Sequence, residues 1–171
     1  MRPLTEAHCA IRSLTAMVGD HAHRSRDAFE AIRTRLRKRF HSKCIFNGNP
    51  ITQGLEFAFR DNGALTAIFT LGPQHMGYDG VAHGGVIAAI IDASMAQCLM
   101  GHGIVGYTIE LNVKYRKSLR IGSVARLETV ILGKEIGILH SLRTEIRQGH
   151  NLVVNATGRF CQTDRHAARD C

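Results

Sequence analysis

The longest apolar run of the chain lies near its middle, from Val86 to Met100, and only Asp92, Ser94 and Gln97 interrupt it. The run contains no Gly or Pro, and its content of Ala, Leu and Met favours a helix over a strand. A helix that is apolar on every side has to be buried, so the run predicts a central helix around which other elements pack. Because an unpaired buried charge is costly, Asp92 must either receive hydrogen bonds there or take part in chemistry.

On both sides of this run, apolar and polar residues alternate with the period of β-strands. Two such segments precede the predicted helix and four follow it: 55–59, 65–71, 107–115, 124–132, 138–146 and 152–160. Short turns such as Asp61-Asn62-Gly63 join consecutive segments, which indicates antiparallel pairing. The predicted fold class is therefore α+β, with a curved antiparallel sheet of about six strands wrapped around the central helix. The glycine-rich segment from Gly72 to Gly85 is predicted to be a loop.

Two amphipathic helices are predicted before the sheet. Thr5 is the expected cap of the first, which ends at Gly19, and Ser25 is the expected cap of the second. We expect this extension to pack onto the body of the protein or onto a neighbouring subunit. The predicted organisation is a helical extension at 1–43, a sheet-and-helix domain at 44–162 and a polar tail at 163–171.

The composition suits one globular domain with a core and an appendage, since 44% of the 171 residues are hydrophobic. A net charge of +8 allows two kinds of anionic partner, nucleic acid or a small nucleotide-bearing molecule. The two predicted helices lack the third helix and the recognition pattern of a helix-turn-helix domain, so nucleic acid is not the expected partner. Much of the positive charge lies between Arg33 and Arg39, which we interpret as the solvated face of the second helix.

The cysteines and the apolar segments bear on the cellular compartment. Five scattered cysteines, an odd number, do not suggest a disulfide framework and favour a reducing cytoplasm. The first residues lack the charged-then-apolar order of a secretory signal. The uncharged apolar run from Val81 to Ile91 is too short to cross a bilayer, so no membrane span is expected.

The most specific motif precedes and enters the central helix. It reads GVAHGG from Gly80 to Gly85, with Asp92 nine positions after the histidine and Thr108 sixteen positions after the aspartate. With these residues and the segment TIELN that begins at Thr108, the chain resembles the hotdog-fold acyl-CoA thioesterases of the PaaI-type (phenylacetate) branch of the 4-hydroxybenzoyl-CoA thioesterase superfamily. The resemblance spans residues 44–161. It implies a hotdog-fold enzyme that hydrolyses an acyl-CoA thioester, with CoA as part of the substrate and no separate cofactor.

The chain departs from that family pattern at two positions. Many relatives carry an asparagine six residues before the histidine, where it helps to hold the thioester, and here this position is Gly77. The departure leaves polarisation of the carbonyl to the backbone. Some relatives also have a second cysteine three residues beyond the first, whereas Cys44 is followed there by Asn47. No other set of His, Cys and carboxylate residues has metal-ligand spacing, so no metal is predicted.

The motif suits thioester hydrolysis because attack on the carbonyl creates an oxyanion. The N–H groups at the start of a helix, with the helix dipole behind them, can receive that charge. Gly84 and Gly85 have no side chains, so a substrate can approach their backbone closely. We therefore assign the oxyanion donor to the Gly84 N–H and expect His83 to shape the turn.

Asp92 is the candidate general base or nucleophile, and these two roles remain open. Thr108 is expected to donate its hydroxyl to Asp92 and to keep the carboxylate ionised. Strand alternation places Thr108 on the face opposite Tyr107 and Ile109. The contact therefore requires a rim, a bulge or a subunit seam.

Helix geometry separates the two halves of this candidate site within one chain. Between His83 and Asp92 the helix rises roughly 13 Å and turns the side chains to opposite faces. Two antiparallel copies of the helix, related by a twofold axis, would place Asp92 of one copy beside Gly84 of the other. The sequence therefore predicts an active site at a homodimer interface, as the family resemblance also implies, and a dimer of dimers is the expected larger assembly.

The expected substrate-binding residues flank the motif: Gly77, Tyr78, Gly85, Lys114 and Arg116. Lys114 and Arg116 form a basic cluster with Lys117 and Arg120 at a strand end, and this cluster suits the phosphates of CoA.

Three classes of function remain open on these residues. The first is an acyl-CoA thioesterase. The second is a related hotdog enzyme, such as a hydratase or an acyl-carrier-protein thioesterase. The third is a non-catalytic acyl-CoA sensor whose basic helices contact nucleic acid or another protein. Gly77 keeps the third class open, whereas the presence of both Asp92 and Thr108 favours an enzyme.

Overall fold

The computed structural model of the protein describes residues 24–46, 55–134 and 137–163. The first predicted helix, with Thr5 and Gly19, lies outside the described residues, as does Asn47. The second predicted helix is present as α1, Arg26–Phe40, and Ser25 is its N-cap as expected. The Ser25 side chain makes no capping hydrogen bond.

In the part of the body that the structure describes, there are eight strands, one long helix and one short 3-10 turn. In chain order these are β1 Phe57–Phe59, β2 Leu65–Thr70, the 3-10 turn Pro73–His75, β3 Met76–Tyr78, β4 Val81–Ala82, α2 Gly84–Gly101, β5 Gly106–Tyr115, β6 Val124–Lys134, β7 Leu139–Gln148 and β8 Asn151–Gln162. Six strands form one antiparallel sheet in the order β1-β2-β6-β7-β8-β5. The predicted α+β class and the six-stranded antiparallel sheet are confirmed.

The segment from Gly72 to Gly85, predicted to be a loop, contains regular structure. Strands β3 and β4 pair with each other as a small antiparallel ribbon, separate from the main sheet. These strands have three and two residues, too few for an alternation pattern to reveal them. The ribbon delivers the chain directly into the first turn of α2.

Helix α2 is the core element that its apolar sequence predicted, and it begins at Gly84, two residues before the apolar run. By length and composition it could cross a membrane, but 61% of it is buried inside the protein, which is typical of a core helix. Its buried Ser94 hydroxyl contacts the Thr129 hydroxyl at 2.8 Å, which in turn contacts Thr144 at 2.8 Å. This chain of hydroxyls satisfies polar groups that would otherwise be costly to bury.

One side of α2 remains partly exposed. The residues on it recur every three or four positions and are small apart from the carboxylate: Gly85, Ala88, Ala89, Asp92 and Ala96. Beside this stripe lies β5, which is the last strand of the sheet and has ten residues.

Helix α1 packs on the body, in agreement with one of the two arrangements expected for the extension. The Phe29 ring stacks on Phe59 at 5.2 Å between centroids, and the Glu30 carboxylate accepts a 2.8 Å hydrogen bond from the Phe59 N–H. Arg33 forms a 2.6 Å ion pair with Glu30 and donates to Gln97 of α2. Burial lowers the pKa of Arg33, which Glu30 partly opposes. The interpretation of this basic run as a solvated face is therefore wrong for Arg33.

Candidate active site

His83 caps the first turn of α2 with its imidazole. The Gly85 N–H donates to His83 Nδ1 at 3.0 Å, so this nitrogen is an acceptor and carries no proton. The N–H groups of Val86 and Ile87 donate to the His83 carbonyl. Among the described residues, the Gly84 N–H has no acceptor. The predicted oxyanion donor is thus the one amide of this turn that remains available for a ligand.

Other parts of the chain hold this turn in place. The His83 N–H donates to the His75 carbonyl at 2.8 Å, and the Ala82 N–H donates to the Leu119 carbonyl at 2.9 Å. The Tyr115 hydroxyl, at the end of β5, donates to the Gly84 carbonyl at 2.8 Å. Tyr115 was visible in the sequence only as the last apolar residue of a strand, and no local pattern points from it to Gly84.

A cavity of about 480 Å³ opens in front of the turn. It brings together five residues that the sequence assigned to the site: Gly77, Tyr78, His83, Gly84 and Arg116. Its lining also includes residues that were not assigned to the site, among them Tyr115, Ser118 and Leu119. Gly85, Asp92, Thr108 and Lys114 are not part of the lining.

Asp92 and Thr108 form a second group on the partly exposed side of α2. The Thr108 hydroxyl donates to the Asp92 carboxylate at 2.6 Å, a length typical of a hydrogen bond to a charged acceptor. The pairing of β5 with β8 shifts register between Thr108 and Glu110, so the strand carries a bulge at Ile109. Strand alternation allowed the contact between Thr108 and Asp92 only at a rim, a bulge or a subunit seam, and the structure has a bulge there.

The two groups are separated along the helix in a single chain. Gly84 and Asp92 are eight residues apart in α2, which corresponds to roughly 12 Å of rise. Gly84 lines the cavity, whereas Asp92 lies outside the lining of that cavity. One chain therefore presents an amide donor and a held carboxylate in two different places.

The basic residues near the cavity are oriented by asparagines of β8. Arg116 Nε donates to the side-chain oxygen Oδ1 of Asn155 at 2.8 Å, and Lys117 Nζ donates to the side-chain oxygen Oδ1 of Asn151 at 2.6 Å. Both cations line the cavity. Lys114 is exposed on β5 outside it. The rim of the cavity is thus positively charged on the side of β5 and β8.

The absence of a side chain at Gly77 has a local steric reason. A Cβ at Gly77 would lie 3.1 Å from the Cα of His83 and 3.1 Å from its Cδ2. Such distances are shorter than ordinary van der Waals contacts. The asparagine that many relatives have at this position therefore does not fit the β3–β4 ribbon unless the ribbon shifts.

The end of α1 lies within electrostatic reach of Asp92, which the sequence did not suggest. Burial lowers the pKa of His41, the residue that follows α1, and Arg37 lowers it further. The Asp92 carboxylate acts in the opposite direction and raises the pKa of His41.

Within residues 24–46, 55–134 and 137–163, no group of three or more His, Cys, Asp and Glu side chains could hold a metal ion.

Comparison with known sequences agrees with this picture. Residues 79–136 match the model of the thioesterase superfamily. The chain is 38% identical over 74 residues to acyl-coenzyme A thioesterase THEM4 of Rattus norvegicus, a match that covers 42% of this chain and 32% of that protein. The chain therefore spans only about a third of the length of this curated relative.

Solved structures share the fold at low sequence identity. The E. coli PaaI protein from the phenylacetic acid degradation operon has a TM-score of 0.68 at 12% identity, and the match covers 82% of this chain and 97% of PaaI. A hypothetical thioesterase of Streptococcus pneumoniae with coenzyme A has a TM-score of 0.59 at 20% identity, over 64% of this chain and 88% of that one. That protein was also solved as two alanine variants, of an aspartate and of a threonine sixteen positions later. The chain thus has the hotdog fold of these structures, and its residues 79–136 are similar to the thioesterase superfamily.

Proposed function

We propose that this protein is an acyl-CoA thioesterase, which hydrolyses an acyl-CoA thioester to a free acid and CoA and needs no separate cofactor. The observation that carries the proposal is the Asp92 carboxylate, half-buried on the core helix and held by the Thr108 hydroxyl at 2.6 Å. A carboxylate held in this way has a fixed orientation. The available Gly84 N–H supplies the second group that the reaction requires.

The proposed chemistry divides between these two groups. Asp92 acts as a general base that takes a proton from water as the water attacks the carbonyl carbon, or it attacks that carbon itself. In both cases the carbonyl oxygen becomes an oxyanion that accepts a hydrogen bond from the Gly84 N–H. Collapse of this intermediate breaks the carbon–sulfur bond and releases CoA as the thiolate. Attack by water leaves the free acid directly, whereas attack by Asp92 leaves a mixed anhydride that water then hydrolyses to the free acid.

A homodimer would unite the two groups. The strand β5 is at the edge of the sheet, and its Tyr107 and Ile109 each expose 53% of their surface. Exposed apolar edges of this length are prone to pair with another chain. The small residues beside Asp92 leave room for a second α2 to approach. A twofold axis there would bring Asp92 of one copy towards Gly84 of the other, with two sites per dimer.

The cavity is the proposed site for CoA. Its cationic rim, with Arg116 and Lys117, suits the phosphates, while Tyr78 is 84% exposed and offers a flat apolar ring beside them. Lys114, outside the lining, would contribute at longer range. The pneumococcal neighbour that contains coenzyme A has the same fold, and its two alanine variants have the sixteen-residue spacing of Asp92 and Thr108. The described cysteines are free thiols, which suits a cytoplasmic enzyme.

Release of thiol from a panel of acyl-CoA and acyl-carrier-protein thioesters tests the proposal. Wild type should hydrolyse at least one acyl-CoA, and Asp92→Asn should reduce the rate by at least about a hundredfold, which is the lower end of the effect of general base catalysis. Asp27→Asn, an exposed carboxylate of α1, is the matched control. Unchanged hydrolysis by Asp92→Asn would remove the carboxylate from the mechanism. Tight binding without hydrolysis by wild type would instead support a non-catalytic acyl-CoA-binding protein.

A further inference from the structure

The hydroxyl of Tyr115 connects the end of β5 to the first residue of the core helix. It donates to the Gly84 carbonyl at 2.8 Å. A Cβ built on Gly84 would lie 3.5 Å from both Cζ and the hydroxyl oxygen of Tyr115, so the tip of the tyrosine lies directly against the turn. The rest of the side chain is open, since 51% of its surface is exposed.

The peptide between Gly84 and Gly85 is consequently held at both ends. Tyr115 binds its carbonyl group, and His83 Nδ1 accepts a hydrogen bond from its N–H at 3.0 Å. A peptide unit is planar, so two hydrogen bonds on opposite edges define its orientation. Restraint matters here because glycines flank this peptide and have the widest backbone freedom of any residue.

We propose that Tyr115 is a positioning residue that fixes the direction of the Gly84 N–H, and this proposal rests on the proposed thioesterase function. With the following peptide held, rotation of the Gly84 backbone is limited, and so is the range of directions that its own N–H can take. The single hydroxyl proton of Tyr115 is used in the bond to the Gly84 carbonyl. Tyr115 therefore directs the Gly84 N–H through the backbone, although its side chain also lines the cavity.

The protonation of Tyr115 supports this role. Burial of the hydroxyl end raises the pKa of Tyr115 above its ordinary value. The phenol therefore remains a donor throughout neutral and moderately alkaline solution. A tyrosine also suits the position sterically, because the ring spans the distance from the strand to the helix while the backbone of β5 stays in the sheet.

The variant Tyr115→Phe tests the proposal because it keeps the ring and removes the hydroxyl. We expect kcat for acyl-CoA hydrolysis to fall about tenfold to a hundredfold, the size of effect that a misdirected group produces, with KM changed less than about threefold. The matched control is Thr66→Val, which removes another hydroxyl-to-carbonyl hydrogen bond, that to Ala58, from the far side of the sheet. The control should keep the kcat of wild type.

A spectroscopic measurement separates failure of this proposal from failure of the proposed function. Loss of the hydrogen bond in Tyr115→Phe should move the carbonyl ¹³C resonance of Gly84 and the amide resonances of Gly84 and Gly85, whether or not the protein hydrolyses any thioester. Equal kcat in wild type and Tyr115→Phe would overturn the positioning role, as would unmoved glycine resonances. An equal fall in kcat for Thr66→Val would also overturn it, because the effect would then be a general loss of stability.

Discussion

Replacing Gly84 with proline removes one N–H group from the helix start with little other disturbance. Gly84 is the first residue of α2, the position at which proline is favoured in helices because its missing N–H has no intrahelical acceptor. The preceding residue, His83, has φ −66° and ψ 131°, the extended conformation that a residue before proline adopts. A Cβ at position 84 would make only ordinary contacts with Tyr115 at 3.5 Å. The structure therefore accommodates this proline.

The expected result is an inactive but stable protein. Loss of one oxyanion donor costs about a hundredfold to a thousandfold in kcat, equivalent to about 2.7–4 kcal/mol of transition-state stabilisation. The free energy of unfolding should stay constant or increase by about 0.4–1 kcal/mol, because proline restricts the unfolded chain. Few substitutions are expected to lower the rate so much without lowering stability.

Thiol release under saturating acyl-CoA measures kcat, and urea denaturation measures the free energy of unfolding. Gly84→Ala is the matched control, since it adds the Cβ but keeps the N–H, and it should retain at least a tenth of the wild-type kcat. A proline variant as fast as the alanine variant would refute the assignment of the oxyanion donor to Gly84. A strongly destabilised proline variant would refute the structural premise that the site accepts a proline.

Three further results are expected. Mixing and refolding Asp92→Ala with Gly84→Pro should restore about a quarter of wild-type activity, because half of the dimers then contain one intact site, whereas sites within one chain would give none. Gly77→Asn should lower the free energy of unfolding by about 1–3 kcal/mol in denaturant melts, since its Cβ crowds His83 at 3.1 Å, and a more stable variant would contradict this. Burial raises the pKa of Cys98 to about 12, so mass spectrometry should find Cys98 unlabelled by a thiol reagent in native protein and labelled only after unfolding.

The sequence predicted the elements whose patterns are long. The apolar run from Val86 to Met100 predicted α2, because a helix buried on all sides is apolar throughout its length. The alternating segments predicted the six strands of the sheet, because a strand buried on one face is apolar at every second residue. The resemblance to thioesterases also suggested the contact between Asp92 and Thr108, which the structure shows at 2.6 Å.

Long-range contacts and very short elements could not be predicted in this way. The β3–β4 ribbon has too few residues for a periodic signal, and its close packing on His83 explains Gly77 only once the ribbon is known. Tyr115 reaches Gly84 across 31 residues of sequence. Arg33 resembles the rest of the basic run in sequence, and only the packing of α1 reveals its contacts with Glu30 and with Gln97 of α2.

The position of Asp92 connects the proposed chemistry with the proposed assembly. In the single chain this carboxylate is half-buried and has one strong hydrogen bond, from Thr108. A second copy covering the small-residue side of α2 would exclude water from the space beside Asp92. The Thr108 hydroxyl would still hold the carboxylate in its orientation. Assembly would thus deliver the Gly84 amide of the other copy to a carboxylate that is already held in place, whereas an isolated subunit would lack a complete site.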